Sequence, residues 1–354
     1  MTRTPAPVMP FGMLPDGRSV EMHRLTNAGG MEVDFLSLGG IICALRVPDR
    51  HGGNADVTPG YASLRDYLAD TRFYGAIIGR YANRIALGRF VLDGVAYQIP
   101  TNDGAHQLHG GRGGFHRALW AVERLTNHAG AGARLTYTSL AGEEGFPGTL
   151  HVRVTYTLTD EDALLVDYAA TTDQATPVNL TSHTYFNLAG HASGDIMDHE
   201  LTVHASSYLP VDDDLIPTGE IRPVAGTPFD FRTPRAIRVA ADAGGAPSFR
   251  GYDHNLVLDG GVRHAIRPVA RLYEPRSGRS VEIGTTEPGL QFYAGGLLGH
   301  GGEGKDGCDY GANSAVALET QHFPNSPNEP RFPTTILRPG AAYRSRTTYR
   351  FATS

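Results

Sequence analysis

The chain has 354 residues, 31 basic side chains against 37 acidic ones and a formal net charge of −6; with no basic block it lacks the electrostatic footprint of a nucleic-acid binder. Its 44 glycines and 23 prolines make the backbone turn often, which excludes a mostly helical protein. Lys305 is the sole lysine, so Schiff-base chemistry, pyridoxal-phosphate catalysis and a lysine-based phosphate cradle have one candidate residue between them.

Two cysteines, Cys43 and Cys308, are too few for a disulfide framework and read as a reduced, intracellular pair. No apolar run approaches the roughly 18 residues of a membrane span, and the N-terminal residues lack a continuous apolar leader. The expected location is the cytoplasm, with no membrane partner.

Along the chain the first regular element is a short helix over 63–69. Residues 90–97 place Asp93-Gly94 between two strand-like runs, the strongest short-range hairpin signal. A strand follows over 134–140. Val152, Val154, Tyr156 and Leu158 alternate with polar residues; 159–162 turn the chain, and Leu164, Val166 and Tyr168 resume the alternation as a second hairpin. His199 and His204 superficially resemble a zinc-protease signature. Their five-residue separation on a strand pattern sends them to opposite faces. Further strands fit 201–208, 269–273 and 280–285. The glycine-rich stretch 295–313 reads as a mobile loop, and its GHGGEGKD run (299–306) nearly spells a phosphate loop. Asp306 stands where that motif needs a Ser or Thr, and no helix pattern follows. A last strand fits 343–351. Many short strands separated by turns, with no repeat, linker or low-complexity tract, predict an all-β protein with few short helices: one large antiparallel sandwich or barrel forming a single domain over 1–354.

Four polar clusters lie in these apolar surroundings: GRYANRI (79–85), NDGAHQLHGGRGGFHRALW (102–120), NLTSHTYFNLAG (179–190) and LETQHFPNSPN (318–328). Together they hold a carboxylate (Glu319), histidines able to exchange a proton near neutrality (His183, His109) and hydrogen-bond donors (Asn83, Arg84). These are the parts for acid–base work at a hydroxyl or ether oxygen. Taken singly, each also fits a structural turn, a satisfied buried histidine or a surface ion pair.

With VPDRHG (47–52), DDDLIPTGEI (212–221), GTPFDFR (226–232), GYDHNLVL (251–258) and PGLQFYAGG (288–296), these motifs form a collinear series over nearly the whole chain. In order and spacing the series resembles the aldose 1-epimerases, or galactose mutarotases. The resemblance implies a galactose mutarotase-like supersandwich that interconverts the α and β anomers of free aldoses such as galactose and glucose by ring opening and reclosure. It makes Glu319 the general base at the anomeric hydroxyl, His183 the general acid at the ring oxygen and His109 a hydrogen-bonding partner of that oxygen. Asn83, Arg84, His109, Tyr185, Asp253 and Gln291 fall on its sugar contacts. One departure is visible: Tyr293-Ala294-Gly295-Gly296 stands where the family commonly reads YTGN.

The expected partner is a small-molecule sugar, with neither metal nor cofactor, on a monomer or homodimer. From reference pKa values of roughly 4.3 and 6.5, an ionised Glu319 beside an available His183 imidazolium is expected near neutrality. Three other readings stand beside this one: a metal-binding sandwich using His106, His109, His183 and Glu319; a sugar-binding protein without turnover; and an epimerase of the same fold acting on a hexose phosphate.

Overall fold

The computed structural model describes residues 8–127, 130–238, 251–299 and 303–354. Strands dominate, and the predicted all-β architecture holds. A five-stranded sheet runs in chain order through Met9–Met13, Ser19–Thr26, Glu32–Leu36, Ile42–Pro48 and Asn54–Asp56. A nine-stranded sheet is ordered Ala121–Asn127, Gly130–Ser139, Leu150–Leu158, Ala163–Thr172, Tyr343–Thr353, Arg279–Thr285, Arg267–Tyr273, Glu200–Val203 and Arg235–Ala236. A six-stranded sheet is ordered Tyr185–Phe186, Val316–Gln321, Gly289–Tyr293, Asp253–Leu258, Ala205–Tyr208 and Arg222–Pro223.

Side chains alternate across a strand, so each sheet sends every second residue inward. Val33, Phe35 and Leu45 from the first sheet, Leu135, Val154, Tyr156, Val166, Ile283 and Tyr349 from the second, and Leu256, Phe292 and Leu318 from the third meet in one continuous core. Each such side chain, fully buried, contributes about 1.5–3 kcal/mol of hydrophobic stabilisation.

The Asp93-Gly94 signal produces the hairpin of Arg89–Leu92 with Val95–Gln98. Both turn residues lie at positive φ, 51° and 80°, as a type I′ turn requires. The predicted helix spans Leu64–Ala69; the Ser63 hydroxyl caps it by accepting from the Asp66 N–H at 3.3 Å, and Leu64 and Tyr67 are buried. The predicted strand over 201–208 is two strands. Glu200–Val203 belongs to the nine-stranded sheet and Ala205–Tyr208 to the six-stranded one, with a register shift between Ala205 and Ser207. The chain switches sheets at His204, whose N–H donates to Val269 O, and period-2 alternation alone carries no mark of such a corner.

The glycine-rich segment 295–313, apart from 300–302, which lie outside the described residues, is tied down rather than free. The Lys305 ammonium donates to the carbonyls of Cys43 and Thr58 and to Asp56 Oδ2, at 2.6–2.7 Å. Behind it is only a three-residue 3-10 turn, Lys305–Gly307, so no helix N-terminus waits for a phosphate.

Candidate active site

The face of the six-stranded sheet turned away from the core carries the polar residues, and strand register explains their proximity. Gln291 pairs with Glu319, Tyr293 with Ala317, Asp253 with Tyr293 and Tyr185 with Ala317. Directly paired residues share a face, so Glu319, Gln291, Tyr293, Asp253 and Tyr185 point together, while Leu318, Leu290 and Phe292 point into the core.

The other wall comes from loops. Ser182 pairs with Ile77, and His183 exchanges backbone hydrogen bonds with the 75–76 segment: Gly75 N–H to His183 O at 3.0 Å, His183 N–H to Ala76 O at 2.9 Å. Asn83 and His109 both adopt left-handed conformations, φ 63° and 52°, and lock to each other. The Asn83 N–H donates to His109 Nδ1 at 3.2 Å, and the His109 N–H donates to Asn83 O at 3.1 Å. Asn179, fully buried, ties the walls together. Its amide nitrogen donates to Ala82 O and His322 O. Its amide oxygen accepts from the His322 N–H at 2.9 Å, three residues beyond Glu319.

These elements enclose a cleft of about 250 Å³ lined by Asn83, Arg84, His109, His183, Tyr185, Asp253 and Glu319, with Thr71, Arg72, Phe73, Leu108, Tyr293 and Leu297. Seven of the eight residues singled out in the sequence thus share one cleft. Gln291 stands behind it: its amide donates to Asp253 Oδ1 at 2.6 Å and orients that carboxylate. Arg84 is held by Asp103, Nε to Oδ2 at 2.8 Å. The Tyr185 hydroxyl donates to Arg72 O at 3.2 Å. His106 turns away, its Nδ1 accepting from the Leu87 N–H at 3.0 Å. Of the residues the motifs did not mark, Asp103 lies inside a quoted cluster and Tyr293 inside PGLQFYAGG. The 71–73 segment carries no motif at all, and only its position before GRYANRI hints at it.

At the floor of the cleft His183 Nε2 lies 3.6 Å from Glu319 Oε1. That is too long for a hydrogen bond, but the two groups are near neighbours, and Glu319 Oε2 and His183 Nδ1 are buried without a protein partner. Burial works against the ionised pair expected from reference values. Burial, reinforced by the negative charge of Asp253 and opposed by Arg84, holds the Glu319 carboxyl well above the usual carboxylate range. Burial pushes His183 down to about 4. Desolvation disfavours the charged form of both groups, and reference values cannot show it. His109 lies well below the ordinary histidine range through burial and then the neighbouring His183 and Arg84.

His109, His183 and Glu319 bring ligand atoms within 4.8 Å of one another, the grouping a metal ion needs. The tautomer opposes that use. Because His109 Nδ1 accepts the Asn83 N–H, the neutral ring carries its proton on Nε2 and has no free lone pair for a cation. It remains a hydrogen-bond donor, which suits an ether oxygen.

A strand-built fold with a buried carboxyl and imidazole side by side in a polar cleft fits a class: an enzyme that moves protons on a small polar molecule. Residues 21–350 match the family model described as Aldose 1-epimerase. Over 344 residues the chain is 46% identical to the galactose mutarotase of Homo sapiens, covering 97% of each protein. It is 37% identical over 343 residues to the aldose 1-epimerase of Escherichia coli K12, covering 96% of this chain and 97% of the relative. A crystal structure of an aldose epimerase homologue from C. elegans superimposes with a TM-score of 0.84 at 31% identity, over 94% of this chain and 98% of that one. The galactose 1-epimerase of Lactobacillus acidophilus gives 0.84 at 26% identity, covering 98% of each chain. The chain belongs to the aldose 1-epimerase family, and it is an isomerase.

Proposed function

We propose that this enzyme interconverts the α and β anomers of galactose and related free aldoses, with Glu319 and His183 as its proton carriers. A cyclic aldose opens when the anomeric hydroxyl loses a proton and the ring oxygen gains one; C1 then rotates and the ring recloses on the other face. Those two oxygens are bonded to the same carbon, so the groups that serve them must be close neighbours. The 3.6 Å approach of His183 to Glu319 at the floor of the cleft is the observation that carries this reading.

In the productive arrangement Glu319 is ionised and His183 protonated; Glu319 takes the hydroxyl proton and His183 gives its own to the ring oxygen, with the His109 Nε2–H steadying that oxygen. Opening therefore leaves a neutral carboxyl and a neutral imidazole, the forms that burial favours. The site's electrostatics thus side with the opened state, and closure returns the proton by the reverse path. Arg84, Asp253, Asn83 and Tyr185 grip hydroxyls remote from C1, with Gln291 holding Asp253, so that C1 alone rotates. Positioned acid–base assistance of about 10² to 10⁴-fold per group is sufficient for a reaction that already proceeds unaided, and the reading asks for no cofactor.

The chain works as one domain over 1–354, as a monomer or homodimer in the cytoplasm. Its two cysteines support the compartment, and no helix of the described residues is long and apolar enough to cross a membrane. Polarimetry on freshly dissolved α-galactose, α-glucose, a pentose and a hexose 6-phosphate tests the substrate class. The neutral sugars are expected to equilibrate faster with enzyme, and acceleration confined to the phosphate would overturn the reading.

A further inference from the structure

Phe73 has a backbone that a bulky L-residue rarely adopts, φ 59°, and strained positions of this kind cluster where function needs them. The surrounding loop is staked on Asp70, whose carboxylate accepts from the Arg72 N–H at 2.8 Å, the Tyr74 N–H at 3.1 Å and the Tyr61 hydroxyl at 3.1 Å. The Phe73 carbonyl accepts from the Ala76 N–H at 3.1 Å, one residue from the Gly75 N–H that donates to His183. So held, the Phe73 ring stands edge-on to His109 at 4.7 Å and to His116 at 4.8 Å, and tilted over His183 at 5.8 Å. It also lines the cleft.

We propose that Phe73 is a positioning residue for the acid–base pair: its ring, presented by the Asp70 loop, wedges His109 and His183 into their working orientations and keeps water from their rings. A buried imidazole with a partnerless nitrogen, as in His183, has few hydrogen bonds to fix its rotation, and a ring face and edges supply the restraint instead. The groups facing His183 are Glu319, His109, His116 and Tyr185, with Arg84 and Asp253 further along the cleft and Arg117 next to His116 in the chain. Water admitted beside His183 restores solvation of its charged form, and the site then accepts a second proton at higher pH. This inference rests on Glu319 and His183 being the proton carriers.

The test compares Phe73→Leu and Phe73→Tyr with wild type in polarimetric assays from pH 4 to 9, alongside Glu319→Gln and His183→Asn. Phe73→Leu is expected to lose about 10²-fold in kcat, with KM changed far less, and to move the acid limb of kcat/KM up by about one pH unit. Phe73→Tyr, which keeps the ring, should recover most of kcat and the wild-type acid limb. A ring that merely supports the fold would lower the active fraction of Phe73→Leu and leave the pH profile in place, and that result overturns the inference. Should Phe73→Leu fail to fold, a Phe73→Met enzyme with an unmoved acid limb overturns it equally. Wild-type rates in Glu319→Gln and His183→Asn would instead overturn the assignment of the proton carriers themselves.

Discussion

Replacing Glu319 by glutamine keeps the shape of a side chain buried on a strand all six of whose residues are buried, and removes only its ability to accept a proton. Loss of one positioned proton carrier is worth about 10² to 10⁴ in rate, or about 3–5 kcal/mol of barrier. Stability should move the other way. A carboxyl held well above its ordinary range by burial keeps its proton to higher pH in the fold than in the unfolded chain. Its contribution is complete below the unfolded value of about 4.3 and is lost progressively as pH rises. Glutamine, which does not ionise, escapes that loss. Polarimetry with the uncatalysed rate subtracted, paired with urea denaturation at several pH values, reads both effects. The variant should be slower by two orders of magnitude or more. It should be more stable than wild type at pH 7, with the gap closing toward pH 4. A variant within tenfold of wild-type rate, or a stability gap indifferent to pH, would refute the reasoning.

Two further outcomes are expected. Burial holds His116 at about 3 and His199 and His254 at about 4; they are neutral in the fold but protonate in the unfolded chain as pH falls below about 6.5. Their stabilisation is therefore present above that value and lost through the window from about 6.5 down to about 4, which denaturation midpoints across that range will show as a decline. Lys305→Met removes the cation on Asp56 and two carbonyls. It should cost about 3 kcal/mol and expose the 303–313 segment to limited proteolysis, whereas unchanged midpoints and cleavage rates would show the clamp to be idle.

Local chemistry made much of the fold legible in advance. Asp93-Gly94 announced its turn because the left-handed conformation at both positions favours those residue types, and the alternation over 152–168 announced a hairpin because one face of each strand enters the core. The corner at His204 stayed hidden, since leaving one sheet for another changes which strands are neighbours and not which residues alternate. In the site, His183 and Glu319 were marked by their motifs, but the push on their charge states was not: burial is a property of the assembled walls, and it drives both groups toward their neutral forms. Phe73 carried no signal, because a phenylalanine at positive φ contradicts local preference and is held there only by Asp70 and the loop around it.

The position of Tyr343–Thr353 governs how the molecule comes together. This last strand lies inside the nine-stranded sheet, hydrogen-bonded to Ala163–Thr172 on one side and Arg279–Thr285 on the other. Until it arrives, both neighbours present unpaired edges, the surfaces through which strand proteins aggregate. Two half-sheets must therefore stay apart until this strand joins them, and pairings this distant in sequence close slowly. Removing this strand should leave a chain that collapses but cannot seal its sheet, so the two halves of the sheet join only when Tyr343–Thr353 pairs with both neighbours.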